Sequence, residues 1–538
     1  MTMRKSYSNR VWQRLMQRPF TVAPGVPATT ASLLFPARRV GVLSAIGRVS
    51  LMAGAGAACA LAFAPWQYSV LAILALALLF RDWRQHTPLQ AAWSGGWFGL
   101  ALFGVGASWI YISVHDYGGA SLWAAGLLTA AFVLVLATFI AACGALSAWV
   151  YRRAGYGLWI MPSLWVLIEY LRGCVVLNGF PWLQIAYSQE TTPLAGFLPL
   201  VGVYGVGWLC AAIAWGVSGF AFNRQGWKTL TMIVLLLTLG GVLRPIAWTY
   251  SVGEPFAVAL VQGNIDQRKK WLPEYRDATL TFYREATAAH WGVPLIVWPE
   301  TAVPLFMDQV AENYLKPLHQ AAVAHGSDVV IPLPVRADDG THYYNAVITL
   351  GQEPGVYRKI HLVPFGEYLP LQPLTGFMLN ILDIPLGDFT PGALEQTLLR
   401  GAGYPFGTSI CYEGAFGREI LRGMPEAAFL VNVTNDAWFG TAIQPHQHLQ
   451  MARVRALETG RYLLRATNTG ITAIVAPDGR TIAQAPQNVP YVLRGHITPM
   501  TGTTPYARWG DTPILLLCAF ALLTALSWRR RPKPFERR

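Results

Sequence analysis

The chain has 538 residues, of which 53% are apolar and only 13% charged, and its formal net charge is +13. Soluble proteins carry about 25% charged residues, so the balance speaks against a wholly soluble protein and for one embedded in a membrane. A basic excess can accompany nucleic-acid binding. Here the cations gather beside apolar runs (Arg4, Lys5, Arg10, Arg14, Arg18, Arg38 and Arg39 at the start, Arg529, Arg530 and Arg531 near the end), as membrane-orientation signals do, and no nucleic-acid partner is expected.

Residues 1–40 hold no Asp or Glu and read as a basic cytoplasmic tail. Residues 41–250 follow as a bundle of about seven helices. A bilayer-spanning helix needs about 20 apolar residues. Candidate segments fall near 42–64, 67–80, 90–113, 121–150, 157–172, 194–222 and 229–249, with an eighth near 512–528. The second, fifth and eighth are short, and the first contains Arg48. Trp66, Tyr68, Trp109, Tyr111, Trp248 and Tyr250 lie at segment ends, where aromatic rings favour the headgroup zone. Within the fifth segment Glu169 and Arg172 are three apart and are expected to brace the loop that follows.

The connections alternate in charge. Those with Arg81 and Arg84, with Arg152 and Arg153, and with Arg224 and Lys228 are basic; the one around His115 and Asp116 has no Lys or Arg. By the positive-inside rule both termini are cytoplasmic. Residues 251–511 then lie outside the cytoplasm, and a second basic tail occupies 529–538.

The 251–511 region reads as one α/β domain. Continuous apolar runs suggest strands covered on both faces: Phe256 to Gln262, Leu295 to Trp298, Val329 to Pro332, Ala346 to Leu350, Thr408 to Cys411, Phe429 to Val433 and Ile471 to Ala476. A helix is expected from Pro273, a favourable first helical position, and a longer one over about 445–465. Pro477-Asp478-Gly479 reads as a hairpin turn between two strands.

Five of the six cysteines, Cys59, Cys143, Cys174, Cys210 and Cys518, lie in or beside apolar segments; only Cys411 lies in the polar region. No spacing suggests a disulfide framework or a zinc site. No GxxxxGK[ST] stretch suggests a nucleotide site. His446 and His448 are two apart on a helix, do not share a face, and read as structural. No metal and no cofactor are expected.

Three stretches carry chemistry. Glu300 follows an apolar strand and a proline in Val297-Trp298-Pro299-Glu300-Thr301. Lys359 is embedded among apolar and aromatic residues, where a fixed cation can hold an oxyanion. Cys411 stands where a strand gives way to Tyr412-Glu413, so that its thiol and the next backbone N–H are presented together. In the order Glu, Lys, Cys, each at a strand edge, they resemble the nitrilase superfamily.

The resemblance narrows to its membrane-bound branch, the apolipoprotein N-acyltransferase family. Val261-Gln262-Gly263-Asn264-Ile265, Trp298-Pro299-Glu300-Thr301, His361-Leu362-Val363-Pro364-Phe365-Gly366-Glu367, Cys411-Tyr412-Glu413, Asn435-Asp436-Ala437-Trp438-Phe439-Gly440, Thr503-Thr504-Pro505-Tyr506-Ala507-Arg508 and Asn178-Gly179-Phe180-Pro181-Trp182 look like that family's motifs. The resemblance covers nearly everything after residue 40. It implies an αββα sandwich carried on a polytopic helical membrane domain of about eight spans, in a bacterial inner membrane with the sandwich in the periplasm. It also implies acyl transfer from a phospholipid donor, through a thioester on Cys411, to the N-terminal amine of a diacylglyceryl apolipoprotein.

Within that likeness Glu300 is the general acid–base, Lys359 the oxyanion cation and Cys411 the nucleophile. Glu367 orients the lysine or the base, Glu413 is a further supporting residue, and Trp271, Tyr412 and Trp438 shape the lipid site. A monomer is expected. The rival readings are a membrane-tethered nitrilase-type amidohydrolase, with water as second nucleophile, and a transporter with an accessory domain. Seven spans before the domain suit a lipid donor better than a small polar substrate. Finally, the apolar, Pro- and Gly-broken stretch between Glu367 and Phe389 is expected to be a lid over the catalytic centre.

Overall fold

In the computed structural model the described residues are 42–154, 159–219, 226–337, 339–370 and 388–527. The two tails and most of the expected lid, including Phe377, Leu379 and Leu382, lie outside them. The chain divides into two compact units, Met1–Gly47 and Arg48–Arg538; of the first, only the start of the Val42–Ala60 helix is described.

An apolar helix occupies each of the eight expected stretches. Four are long and apolar enough to cross a membrane: Leu122–Arg153, Ile160–Asn178, Pro193–Ser218 and Gly226–Leu243. A fifth crossing results if Pro88–Gly106 and Ile110–Tyr117, bent by 59°, form one span; Ala45–Ala60 and Thr512–Ser527 are apolar but shorter. The Gly226–Leu243 helix leaves Trp227, Leu230, Val234, Leu235 and Val242 exposed and buries only Gly240 among its described residues, which suits a lipid-facing helix.

Arg48 is neutralised rather than stranded. Its guanidinium meets Asp82 at 2.6 Å and donates to the Gln90 carbonyl at 2.9 Å. Trp109 departs from the interfacial-belt expectation. It is buried, with Nε1 donating to Gln447 at 3.1 Å, because the water-facing domain covers it. Glu169 and Arg172 brace the following loop: Arg172 Nη1 donates to the carbonyls of Phe180 (2.6 Å) and Trp182 (2.8 Å), and Glu169 Oε1 accepts from the Ile185 N–H (3.0 Å).

The 251–511 region is built on two six-stranded sheets. The first runs, in spatial order, Tyr491–Ile497, Phe256–Gln262, Leu295–Val297, Asp328–Arg336, Tyr343–Leu350 and Gly355–Arg358; the second runs Thr481–Gln484, Ala473–Val475, Leu463–Thr467, Phe429–Thr434, Tyr404–Ile410 and Leu399–Gly401. In each sheet three neighbouring strands are parallel, 256–262, 295–297 and 328–336 in the first and 463–467, 429–434 and 404–410 in the second, and every other pairing is antiparallel.

Alternation along the strands separates the layers. Val258, Leu260, Leu295 and Val297 meet Phe406, Ile410, Val431, Val433 and Leu464 between the sheets. Ala259, Val261, Ile296 and Ile331 face outward onto Tyr283, Leu315, Leu318 and Ala322 of the first helical layer. On the other side Leu430, Leu463 and Val475 meet Leu449, Ala452 and Ala456 of the second. The architecture is an αββα sandwich.

The helix from Pro273 runs to Ala288 as expected, and the Pro477-Asp478-Gly479 turn does join antiparallel strands. The long helix is Gln444–Thr459, shorter than expected, because Gly460 takes a left-handed φ of 64° and ends it. Leu463–Thr467, whose first three residues were read as its tail, is instead a strand inside the second sheet.

That helix also seats the sandwich on the membrane part. Gln447 Oε1 accepts from Trp109 and Trp182 indoles at 3.1 and 3.0 Å, Gln450 Oε1 accepts from the Ala64 N–H at 3.1 Å, and Glu458 Oε1 accepts from the Val203 N–H at 2.8 Å. The Val203 amide is available because Gly202 breaks the Leu198–Ser218 helix with φ 62°. A Cβ at Gly202 would lie 2.2 Å from the Tyr506 ring, so Gly202 serves both the kink and the contact.

Candidate active site

Glu300 leaves the Leu295–Val297 strand through Trp298 and Pro299 and is buried. Its Oε1 accepts from Asn345 Nδ2 at 2.9 Å and lies 3.8 Å from Lys359 Nζ. Lys359, 1% exposed, follows the Gly355–Arg358 strand. Its ammonium lies 2.9 and 2.8 Å from the two oxygens of Glu367. Glu367 Oε1 also accepts from Asn345 Nδ2 at 2.9 Å, and Oε2 accepts from the Val363 N–H at 2.8 Å. Asn345, on the Tyr343–Leu350 strand, therefore holds both carboxylates, one on each side of the lysine. Sequence reading missed it, because an Asn inside a strand announces nothing until its neighbours are known.

Cys411 comes from the other sheet. It follows the Tyr404–Ile410 strand with φ 50°, a left-handed turn that few non-glycine residues adopt and that strained nucleophile elbows use. Glu413 holds the elbow. It is fully buried; Oε2 accepts from the Ile410 N–H at 2.8 Å, while Oε1 accepts from the N–H groups of Ile360 (2.6 Å) and His361 (3.0 Å). One carboxylate thus ties the end of the cysteine strand to the segment that carries Lys359. Behind Cys411, His448 Nε2 lies 3.2 Å from the Cys411 carbonyl oxygen, and Nδ1 lies 3.1 Å from Asp436 Oδ1. Arg465 Nη2 meets Asp436 Oδ2 at 2.9 Å.

Electrostatics follow from this packing. Burial pushes the Cys411 thiol above its ordinary range; Glu300 adds to this and Lys359 opposes it. Burial raises the Glu300 carboxyl, against the pull of Lys359 and with the help of Glu367. Burial works against the charge on Lys359, but Glu367 and Glu300 outweigh it and hold the ammonium charged. Burial lifts Glu413 to about 7, with Lys359 and the backbone N–H groups opposing. At rest the site therefore holds a protonated thiol, a permanent cation and a carboxylate biased toward taking a proton.

The aromatic residues are dispersed. Tyr412 turns toward the membrane part, its hydroxyl donating to the Gly179 carbonyl at 2.6 Å and its ring stacked on Trp182 at 6.2 Å. Trp438 meets Tyr117 edge-on at 6.3 Å. Trp271 is half-buried at the end of the turn after Lys270.

Residues 55–216 match the family model of the apolipoprotein N-acyltransferase N-terminal domain, and residues 257–506 match that of carbon-nitrogen hydrolases. The apolipoprotein N-acyltransferase of Methylococcus capsulatus is 49% identical over 87% of this chain and 94% of its own. That of Nitrosomonas europaea is 42% identical over 88% of this chain and 97% of its own.

The chain belongs to the apolipoprotein N-acyltransferase family.

The family member of Coxiella burnetii matches at 40% identity, over 88% of this chain and 98% of its own. As an apolipoprotein N-acyltransferase family member the chain joins an apolar helical part to a nitrilase-like domain, and the motif-bearing residues of both meet at one place. Asn178 Nδ2 donates to the Leu362 carbonyl at 3.1 Å, and His361 Nε2 lies 2.8 Å from the Asn178 carbonyl. The membrane loop 178–182 thereby touches the segment between Lys359 and Glu367 on one side and Tyr412 on the other.

Proposed function

We propose that this chain moves an acyl group from a phospholipid to the α-amine of a diacylglyceryl-cysteine at a lipoprotein N-terminus, by way of a thioester on Cys411. Family membership over most of the chain is the observation that carries the reading. The meeting of Glu300, Lys359, Glu367 and the Cys411 elbow supports the assignment of roles.

In the first half-reaction Glu300 takes the Cys411 proton as Sγ attacks the ester carbonyl. The tetrahedral oxyanion is stabilised by the Lys359 ammonium and the Tyr412 backbone N–H. Collapse breaks the ester C–O bond, and the leaving lysophospholipid oxygen receives the proton from Glu300. In the second, the neutral amine attacks the thioester, Glu300 accepts its proton, and the expelled thiolate is reprotonated. Glu367 keeps Lys359 charged and in place, Glu413 holds the elbow, and Trp271, Tyr412 and Trp438 border the lipid site. Water as second nucleophile would make the same site a hydrolase; the helical part favours a lipid donor.

We further infer eight spans in a bacterial inner membrane, the 251–511 domain in the periplasm, the tails in the cytoplasm, and action as a monomer. The contacts that seat the sandwich involve Ala64, Trp109, Asn178, Trp182 and Val203, away from the Lys/Arg-rich connections, which supports that orientation. The test is intact-protein mass spectrometry after incubation with phospholipid alone, followed by addition of a diacylglyceryl-cysteine peptide. An acyl adduct on Cys411 that moves to the peptide is expected. Transfer to the peptide without any adduct would overturn the covalent route, and release of free fatty acid with no acylated peptide would favour the hydrolase.

A further inference from the structure

Among the described residues Lys270 is a buried cation without a contacting carboxylate. It is 2% exposed, and its one hydrogen bond among the described residues runs to a neutral acceptor, the Glu300 backbone carbonyl, at 3.0 Å. The other buried cations of the domain's site are matched: Lys359 by Glu367 and Glu300, Arg465 by Asp436. An ammonium out of water with two donors left over is costly unless something anionic completes it. Burial accordingly pulls Lys270 down to about 8, with the Glu300 charge only partly opposing.

The turn that carries Lys270 is placed against both halves of the protein. Gln267 Oε1 accepts from Asn435 Nδ2 at 2.7 Å, and the amides of Lys269 and Lys270 donate to the Asp266 carbonyl at 3.0 Å. Arg268 and Lys269, both exposed, extend the positive charge outward. The Arg268 guanidinium lies 5.7 Å from the ring of Tyr117, at the end of the bent apolar helix pair, and Trp438 packs on that same ring. Lys270 therefore stands at the backbone of Glu300 and Arg268 at the edge of the apolar helical part, with Lys269 between them in the turn, its ammonium 5.3 Å from the Tyr275 ring.

We propose that Arg268, Lys269 and Lys270 form a subsite for the phosphodiester of the acyl donor. The proposal rests on the reading of Cys411 as acceptor of a phospholipid acyl chain, and it names the group that positions that lipid. A glycerophospholipid carries its phosphodiester a few bonds from the ester under attack. An ester held at Cys411 thus brings a monoanion with two free oxygens close to the Glu300 side of the site. Lys270 supplies the desolvated donor, and Arg268 and Lys269 supply the outer charge.

The test compares two donors in neutral detergent micelles: dioleoyl phosphatidylglycerol, which has the phosphodiester, and diolein, which has the same acyl esters and no phosphate. Adduct formation on Cys411 is followed for the native chain, Lys270→Met and the double variant Arg268→Gln/Lys269→Gln. The native chain is expected to prefer phosphatidylglycerol, and each variant to lower that preference about tenfold, the scale of one lost charge-assisted hydrogen bond. The double variant keeps the test open if Lys270→Met disturbs Glu300. Equal loss with both donors, or an unchanged preference, would overturn the subsite. Absence of adduct in the native chain with either donor would instead sink the thioester reading itself.

Discussion

His448 Nε2 stands 3.2 Å from the carbonyl oxygen of Cys411, the residue whose backbone is left-handed at φ 50°. The ring is 1% exposed and is pinned from behind by Asp436, itself held by Arg465. A buried ring held against the Cys411 carbonyl restrains the rotation of this turn, and with it the direction of Sγ. His448→Ala is expected to slow adduct formation about tenfold. His448→Gln, which can place an amide group against that carbonyl, should lose less. The check is the single-turnover rate with saturating phospholipid; equal loss in both variants would mark a packing role only.

Cys411→Ala is expected to abolish acyl transfer while membrane insertion and expression stay normal. Cys411→Ser should retain at most trace activity, since a serine hydroxyl is far less ionised than a thiol. Measurable turnover by the alanine variant would exclude covalent catalysis.

With phospholipid alone the acyl-enzyme is expected to accumulate and to be released by hydroxylamine, as thioesters are. Steady-state kinetics should be ping-pong. Glu300→Gln preserves the shape and the bond from Asn345 but cannot accept a proton, so its adduct yield should fall to background. A normal yield would remove Glu300 from the base role.

The pH dependence follows from the Glu300 environment. Its carboxyl is raised, mainly by burial, with Glu367 contributing and Lys359 opposing. A Glu300 that acts as the base must be deprotonated, so on the proposed mechanism adduct formation should rise with pH through a limb above the ordinary carboxylate range. Glu367→Gln removes a negative neighbour and frees Lys359 for Glu300. Both effects lower the Glu300 pKa, so the limb should move to lower pH. A limb that stays put, or moves up, would contradict the assignment.

A topology reporter fused after Val252 is expected to be active only when it is of an extracytoplasmic type. Labelling of the 251–511 domain from the cytoplasmic side would overturn the orientation.

Much of the sandwich was legible because its central strands are buried on both faces. Phe256–Gln262 has the bounds its apolar run predicts, and Phe429–Thr434 extends one residue further than its run. Thr481–Gln484 was legible only as the far arm of the Pro477-Asp478-Gly479 turn, without bounds: it is a short edge strand with every other residue exposed, and its side chains carry no continuous apolar signal. Leu463–Thr467 was misread because Leu-Leu-Arg-Ala prolongs a helical composition, and only Gly460 marks the break.

Glu300 and Cys411 could be picked out because each follows an apolar run, and Lys359 because it sits among apolar and aromatic residues; the order of the surrounding motifs resembles one family. Residue type and local pattern are written along the chain, so the candidate cysteine, lysine and glutamate, the apolar helices and the loop charges could be read from it directly. Asn345 between two carboxylates, Glu413 tying two segments, His448 behind the cysteine carbonyl and Lys270 buried against the Glu300 carbonyl could not. Each is defined by a partner 30 or more residues away, or by burial that exists only once the sheets and helices have packed. Hydrogen bonds and desolvation are properties of that packing, and the tertiary structure alone decided them.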